Sequence, residues 1–280
     1  MRYLILILSY VLLLPSALHA ANYEIKKVTE KVYAALAIPG GKVASNAMFV
    51  VTESGVVLAG AHFVKEGIGE LLAEIGKITP IPVSQVILTH HHLGFNYVDF
   101  DFPAKTEIIV SAQIWQSLKG ELREFRNPTT VFETSLTLNR GAVSLVLINT
   151  GQGHSNGDVV LYMPKEGILF ASDLFFNETV GYMGDASVQE WGENLEFLEG
   201  IAANVIIPGL GKVSDAEGLA RFQLFYRAFM TEVIRNLEKG NSLAKTKKEF
   251  SLEQYKDMPG FRTFLDINLE NAYKQLKSHR

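Results

Sequence analysis

The stretch Val83-Ser84-Gln85-Val86-Ile87-Leu88-Thr89-His90-His91-His92 decides how this chain of 280 residues is read. Its first six residues are mostly apolar and β-branched, which predicts a buried strand. That strand runs straight into three consecutive histidines. In extended backbone the side chains at i and i+2 point the same way. His90 and His92 can therefore face a common ion, while His91 turns to a supporting position or to solvent. A further histidine, His154, follows a second predicted strand, Val143 to Ile148, in the loop Gly151-Gln152-Gly153-His154. A third neutral imidazole there completes a three-histidine face. Zinc suits such a face: it takes four tetrahedral ligands, binds ring nitrogens at about 2.0–2.1 Å and leaves a position open to water, whose pKa falls to about 7. Asp173, after the predicted strand from Gly167 to Phe170, is read both as a metal ligand and as a catalytic proton acceptor. His62 has no partner in the sequence and is assigned no role.

Outward from the histidines, strands alternate with helices. Asn46 to Ala59 reads as a hairpin turning at Glu53-Ser54-Gly55. Lys65 to Ile78 carries apolar residues at helical spacing and is closed off by Pro80. Glu107 to Val110 is a strand, and Ser111 caps a helix predicted through about Phe125. Asp158 to Met163 is a strand stopped by Pro164, Ser187 to about Ala203 a helix, and Val205 to Ile207 a short buried strand. Asp215 caps a long helix through Leu237, ended by Gly240. Polar residues collected just after strand ends argue an α/β sandwich with its site along one rim.

Composition narrows the chemistry. The chain has no cysteine, which excludes disulfides, thiolate nucleophiles, iron–sulfur clusters and thiolate zinc ligands. Any metal must be held by histidine and carboxylate. Residues 1–20 open Met-Arg-Tyr, pass through an apolar stretch from Leu4 to Leu14 and end at Ala20, the pattern of a cleaved secretory signal peptide. The apolar stretch is shorter than the roughly 20 residues of a membrane span, and no later segment is long and apolar enough. Residues 21–280 are expected as one soluble domain, exported to the periplasm in a bacterial setting. Removing Arg2 with the leader takes the net charge from −4 to −5. The short Lys-rich stretches read as solvated faces, not as a nucleic-acid surface.

Gly153-His154-Ser155-Asn156-Gly157 also fits G-x-S-x-G, the nucleophile elbow of serine hydrolases. That motif requires a helix directly after the serine, whereas Asp158 to Met163 reads as a strand. The late histidine of such a triad could only be His279.

Four stretches together resemble the metallo-β-lactamase superfamily: Thr89 to His92, Gly153 to Asp158, Ala171-Ser172-Asp173-Leu174-Phe175 and Ile207-Pro208-Gly209-Leu210-Gly211. The likeness covers nearly the whole mature chain and is greatest to a secreted branch of zinc-dependent hydrolases, in which a stretch like Pro39 to Asn46 precedes the first hairpin. It implies a four-layer αββα sandwich, followed here by a C-terminal helical extension, with zinc at the strand ends. His90, His92 and His154 match the ligands of the family's first zinc, and Asp173 its bridging aspartate. The family's second-zinc ligands are replaced by Gly94, Phe95 and Leu210, and an aspartate usual after the first hairpin by Gly60. One zinc at most is implied, on His90, His92 and His154 with Asp173 as a possible fourth group.

Two functions stay open. The first is a mononuclear zinc hydrolase of an ester, thioester or amide bond in a small molecule, working through metal-bound hydroxide. The second is a catalytically inactive binding protein on the same scaffold. Loss of the aspartate at Gly94 favours the second, since general acid–base assistance is worth about 10²–10⁴-fold. The complete three-histidine set favours the first.

Overall fold

The structure, a computed structural model, describes residues 21–92, 102–121 and 126–278. The leader, Gly94, Phe95 and His279 lie outside the described residues. One sheet has seven strands in chain order: β1 (Tyr23–Lys27), β2 (Val32–Ala37), β3 (Ala47–Thr52), β4 (Gly55–Gly60), β5 (Val83–Leu88), β6 (Glu107–Ser111) and β7 (Thr129–Phe132). Strands β1 to β4 pair antiparallel, and β4 to β7 pair parallel. The second sheet joins β8 (Ser135–Arg140), β9 (Val143–Gln152), β10 (Asn156–Met163), β11 (Ile168–Phe176) and β12 (Val205–Leu210), in the order β12-β11-β10-β9-β8.

Helix α1 (Lys65–Ile78) makes the crossover between parallel strands β4 and β5. It buries Ile68, Leu71 and Ile75, three and four residues apart, and so lays one stripe on the sheet. Helix α2 (Ala112–Gly120) starts at Ser111, whose side chain accepts a hydrogen bond from Ile114 N. Helices α3 (Val188–Gly200), α4 (Ala216–Glu238), α5 (Leu243–Glu249) and α6 (Phe261–Ser278) follow.

Alternation along the second sheet assigns its two faces. Val159, Leu161, Met163, Ile168, Phe170 and Ile207 belong to a core shared with the first sheet, α1 and α2. Val160, Leu169, Ala171 and Ile206 belong to a second core with α3, α4 and α6. Strand β11 is therefore buried along its whole length. The layers are helix, sheet, sheet, helix, the expected αββα sandwich.

Several boundaries differ from the sequence reading, among them β12, which runs on to Leu210, and two further differences bear on the site. Strand β9 continues through Gln152, because Gly151 at φ 78° lets the backbone bend while still pairing with Asp158. Asp173 lies inside β11, not beyond its end. There the strand is broken by Ser172 at φ 49°, where the pairing with β12 shifts register.

Candidate metal centre

The histidine loop hangs between the sheets on Thr89. Its N–H donates to Gly60 O at 3.0 Å, and its carbonyl accepts from Val159 N at 2.7 Å. Its hydroxyl lies 2.8 Å from Ser172 Oγ. Beyond this anchor His90, His91 and His92 are all buried. His90 and His92 turn to the same side, with ring centroids 5.3 Å apart. His91 turns away and places Nε2 3.1 Å from Glu121 Oε1. It is buried beside a carboxylate rather than exposed.

His154 comes from the turn between β9 and β10. A Cβ on Gly153 would stand 2.6 Å from Asn194 Nδ2 and 2.9 Å from Asp158 Oδ2, so the turn needs glycine there. Asp158 ties the turn internally, accepting from Ser155 N at 3.1 Å and Ser155 Oγ at 2.5 Å. Burial pushes its carboxyl up to about 7, with the Ser155 donors opposing the rise. Ser155 is thus a structural hydroxyl, and the strand β10 that begins at Asn156 rules out the elbow geometry.

The three ring systems converge. The centroid of His154 is 4.8 Å from that of His90 and 4.6 Å from that of His92. One ligand atom from each of His90, His92 and His154 falls within 4.8 Å of the others. Two of the three rings are held from behind, His90 by Ser172 Oγ at 3.3 Å from Nδ1 and His92 by Asp185 Oδ2 at 3.0 Å from Nδ1. Such contacts fix the tautomer and aim the other nitrogen inward. Burial first, then the neighbouring histidines, hold His90 and His154 far below the ordinary histidine range, so both are neutral donors.

Asp173 borders the same space. Its Oδ2 lies 3.7 Å from His90 Nε2 and 3.6 Å from His154 Nε2, while Oδ1 accepts from Ser45 Oγ at 2.5 Å. Burial raises its pKa, and His62, Ser45 and His92 oppose the rise. The sequence reading assigns His62 no role and does not single out Asp185 or Tyr182. Pairing of Gly60 with Leu88 brings His62 to the same rim as His90, and that parallel register was the signal available. Asp185 and Tyr182 come from the segment between β11 and α3, for which no short-range pattern exists.

Helix α6 pins that segment. Asn268 Oδ1 accepts from Met183 N at 2.7 Å and its Nδ2 donates to Gly181 O at 2.9 Å. Asn271 Nδ2 donates to Met183 O and Ala186 O, and Gln275 Oε1 accepts from Val188 N. A pocket of about 140 Å³ opens above the histidines, lined by His62, His92, His154 and Asp173 with Tyr182, Leu210 and Phe264.

The donor set fits a cation. His92 Nε2 and His154 Nε2 face each other at 2.8 Å; two ring nitrogens so placed must share one proton or direct both lone pairs at a positive ion. His90 Nε2 is buried without a hydrogen-bond partner among the described residues. Three ring nitrogens with an adjacent carboxylate are zinc-type ligands.

The sequence model of the Metallo-beta-lactamase superfamily matches residues 40–210. The chain belongs to the metallo-beta-lactamase superfamily. Metallo-beta-lactamase IND-1 of Chryseobacterium indologenes is 28% identical over 186 residues, covering 64% of this chain and 77% of that protein. The 2,4-dinitroanisole O-demethylase subunit alpha of Nocardioides sp. (strain JS1661) is 27% identical over 193 residues, covering 65% and 58%. Among solved structures, a metallo-beta-lactamase from Pontibacter korlensis superposes with TM-score 0.61 at 24% identity, over 73% of this chain and 99% of that one. This superfamily member thus combines a hydrolase-type fold with a buried histidine group able to hold a metal ion. No described helix is long and apolar enough to cross a membrane.

Proposed function

We propose that this protein is a mononuclear zinc-dependent hydrolase acting on an ester, thioester or amide bond of a small molecule. The observation that carries this reading is the convergence of His90, His92 and His154, of which His92 and His154 line a pocket. A bound zinc ion supplies Lewis acidity toward a carbonyl and acidifies water. The chain's own groups do the rest. Ser172 and Asp185 orient His90 and His92 from behind. Asp173, with Oδ1 held by Ser45, presents Oδ2 to the pocket as the group that accepts and returns a proton. Leu210, Phe264 and Tyr182 form a largely apolar wall that displaces water from the substrate.

Leu210 also favours a second reading, a binding protein without turnover, because an apolar side chain stands where relatives would carry a metal-binding histidine. Zinc analysis of the purified protein and of His92→Ala, with both assayed on ester, thioester and β-lactam substrates, separates the two. About one zinc per chain, lost with His92, and turnover abolished by a chelator are expected. Zinc without turnover leaves the binding protein, and a metal-free native protein rejects both the enzyme and its cofactor. Export forms part of the same proposal: N-terminal sequencing of the secreted or periplasmic protein should begin at Ala21.

A further inference from the structure

His62 offers a ligand that the superfamily resemblance does not assign. It is buried, follows β4 by two residues, and packs its ring 5.5 Å from that of His90. One ligand atom each from His62, His90 and Asp173 lie within 4.8 Å of one another, as do those of His90, His92 and His154. His90 belongs to both triples. Its Nδ1 faces Ser172 Oγ, so Nε2 is the nitrogen it presents, 3.7 Å from Asp173 Oδ2. A neutral imidazole has one acceptor nitrogen, and that single lone pair serves one ion at a time. The two triples therefore exclude each other.

We propose that one divalent cation of the zinc class occupies either of two overlapping seats hinged on His90. One seat is His90, His92 and His154, and the other is His62, His90 and Asp173. The inference rests on the metal-binding reading above and adds His62 as a ligand. The first seat offers three ring nitrogens. The second replaces one nitrogen by a carboxylate oxygen and so suits harder cations better.

Cobalt(II) titration of the metal-stripped full-length chain, read by stoichiometry and visible spectrum, tests it without recourse to turnover. The wild type and His62→Ala should each take one equivalent, the wild-type spectrum lying between those of His62→Ala and His154→Ala. His154→Ala should still take one equivalent, with an altered spectrum, and His62→Ala/His154→Ala should take none. His90→Ala should also take none. The two-seat inference is overturned if His154→Ala alone is as empty as His90→Ala, if the double variant binds like His154→Ala, or if the wild type takes two equivalents. A wild type that takes no cobalt rejects the metal reading itself. If circular dichroism shows a variant unfolded, nitrogen-15 NMR of the histidine-labelled wild type decides. At one equivalent of zinc the ring nitrogens of His62 must shift along with those of His92 and His154, and an unmoved His62 overturns the inference.

Discussion

Gly209 leaves no room beside Asp173: a Cβ there would clash with Asp173 Oδ1 and stand 2.6 Å from its backbone N and Cα. Gly209→Ala should destabilise the protein by about 1–3 kcal/mol through overpacking, seen as a lower urea midpoint, and should reduce zinc content in step. His62 supplies a pH signature. Burial lowers its pKa to about 3, with His90 and His92 adding to the fall and Asp173 opposing it. In the unfolded chain the same ring takes a proton near pH 6.5. The unfolded state therefore binds the extra proton between those values, and stability falls as pH drops through that window. In the presence of chelator, wild type should lose about 1.4 kcal/mol per pH unit more than His62→Gln between pH 6 and pH 4. Urea denaturation at the two pH values measures the difference, and equal slopes would contradict it.

Ser111 joins two elements at once. Its hydroxyl caps α2 through Ile114 N and donates to Gly157 O at 2.7 Å, binding the helix to the start of β10, just after the turn that carries His154. Ser111→Ala should cost about 1–2 kcal/mol of stability, measurable by thermal or urea unfolding, and should weaken zinc retention. At this scale the sequence was most legible where one pattern dominated. The α1 stripe and the β-branched run of β5 gave both elements with their observed bounds. The pairing of β1 with β2 was not foreseen, since the latter's Val-Tyr-Ala-Ala-Leu-Ala is rich in alanine and lacks a two-residue alternation. Strands β7 and β8 are half-exposed and polar, so they carry little apolar signal. Within the site, His90, His92, His154 and Asp173 were legible because each adjoins a recognisable strand. His62 and Asp185 reach the centre through parallel pairing and through α6, contacts that no local pattern encodes.

At the scale of the molecule, the centre lies where both sheets and the last helix meet. Asn268→Ala would strip partners from Met183 N and Gly181 O, at a cost of about 1–3 kcal/mol for each buried group left unpaired. Because that segment carries Asp185, the support behind His92, zinc affinity should fall about 10–100-fold. Competition with a chromophoric chelator reads the change, and unaltered affinity would show that α6 does not support the centre. This arrangement also dictates an order of assembly. Every ligand candidate has been synthesised by residue 173, yet the clamp on the segment that carries Asp185 comes from Asn268, Asn271 and Gln275 of α6. A nascent or clipped chain ending before α6 would possess every candidate ligand and still lack the contacts that hold the segment behind His92, so the brace on that ring forms only once α6 has been made.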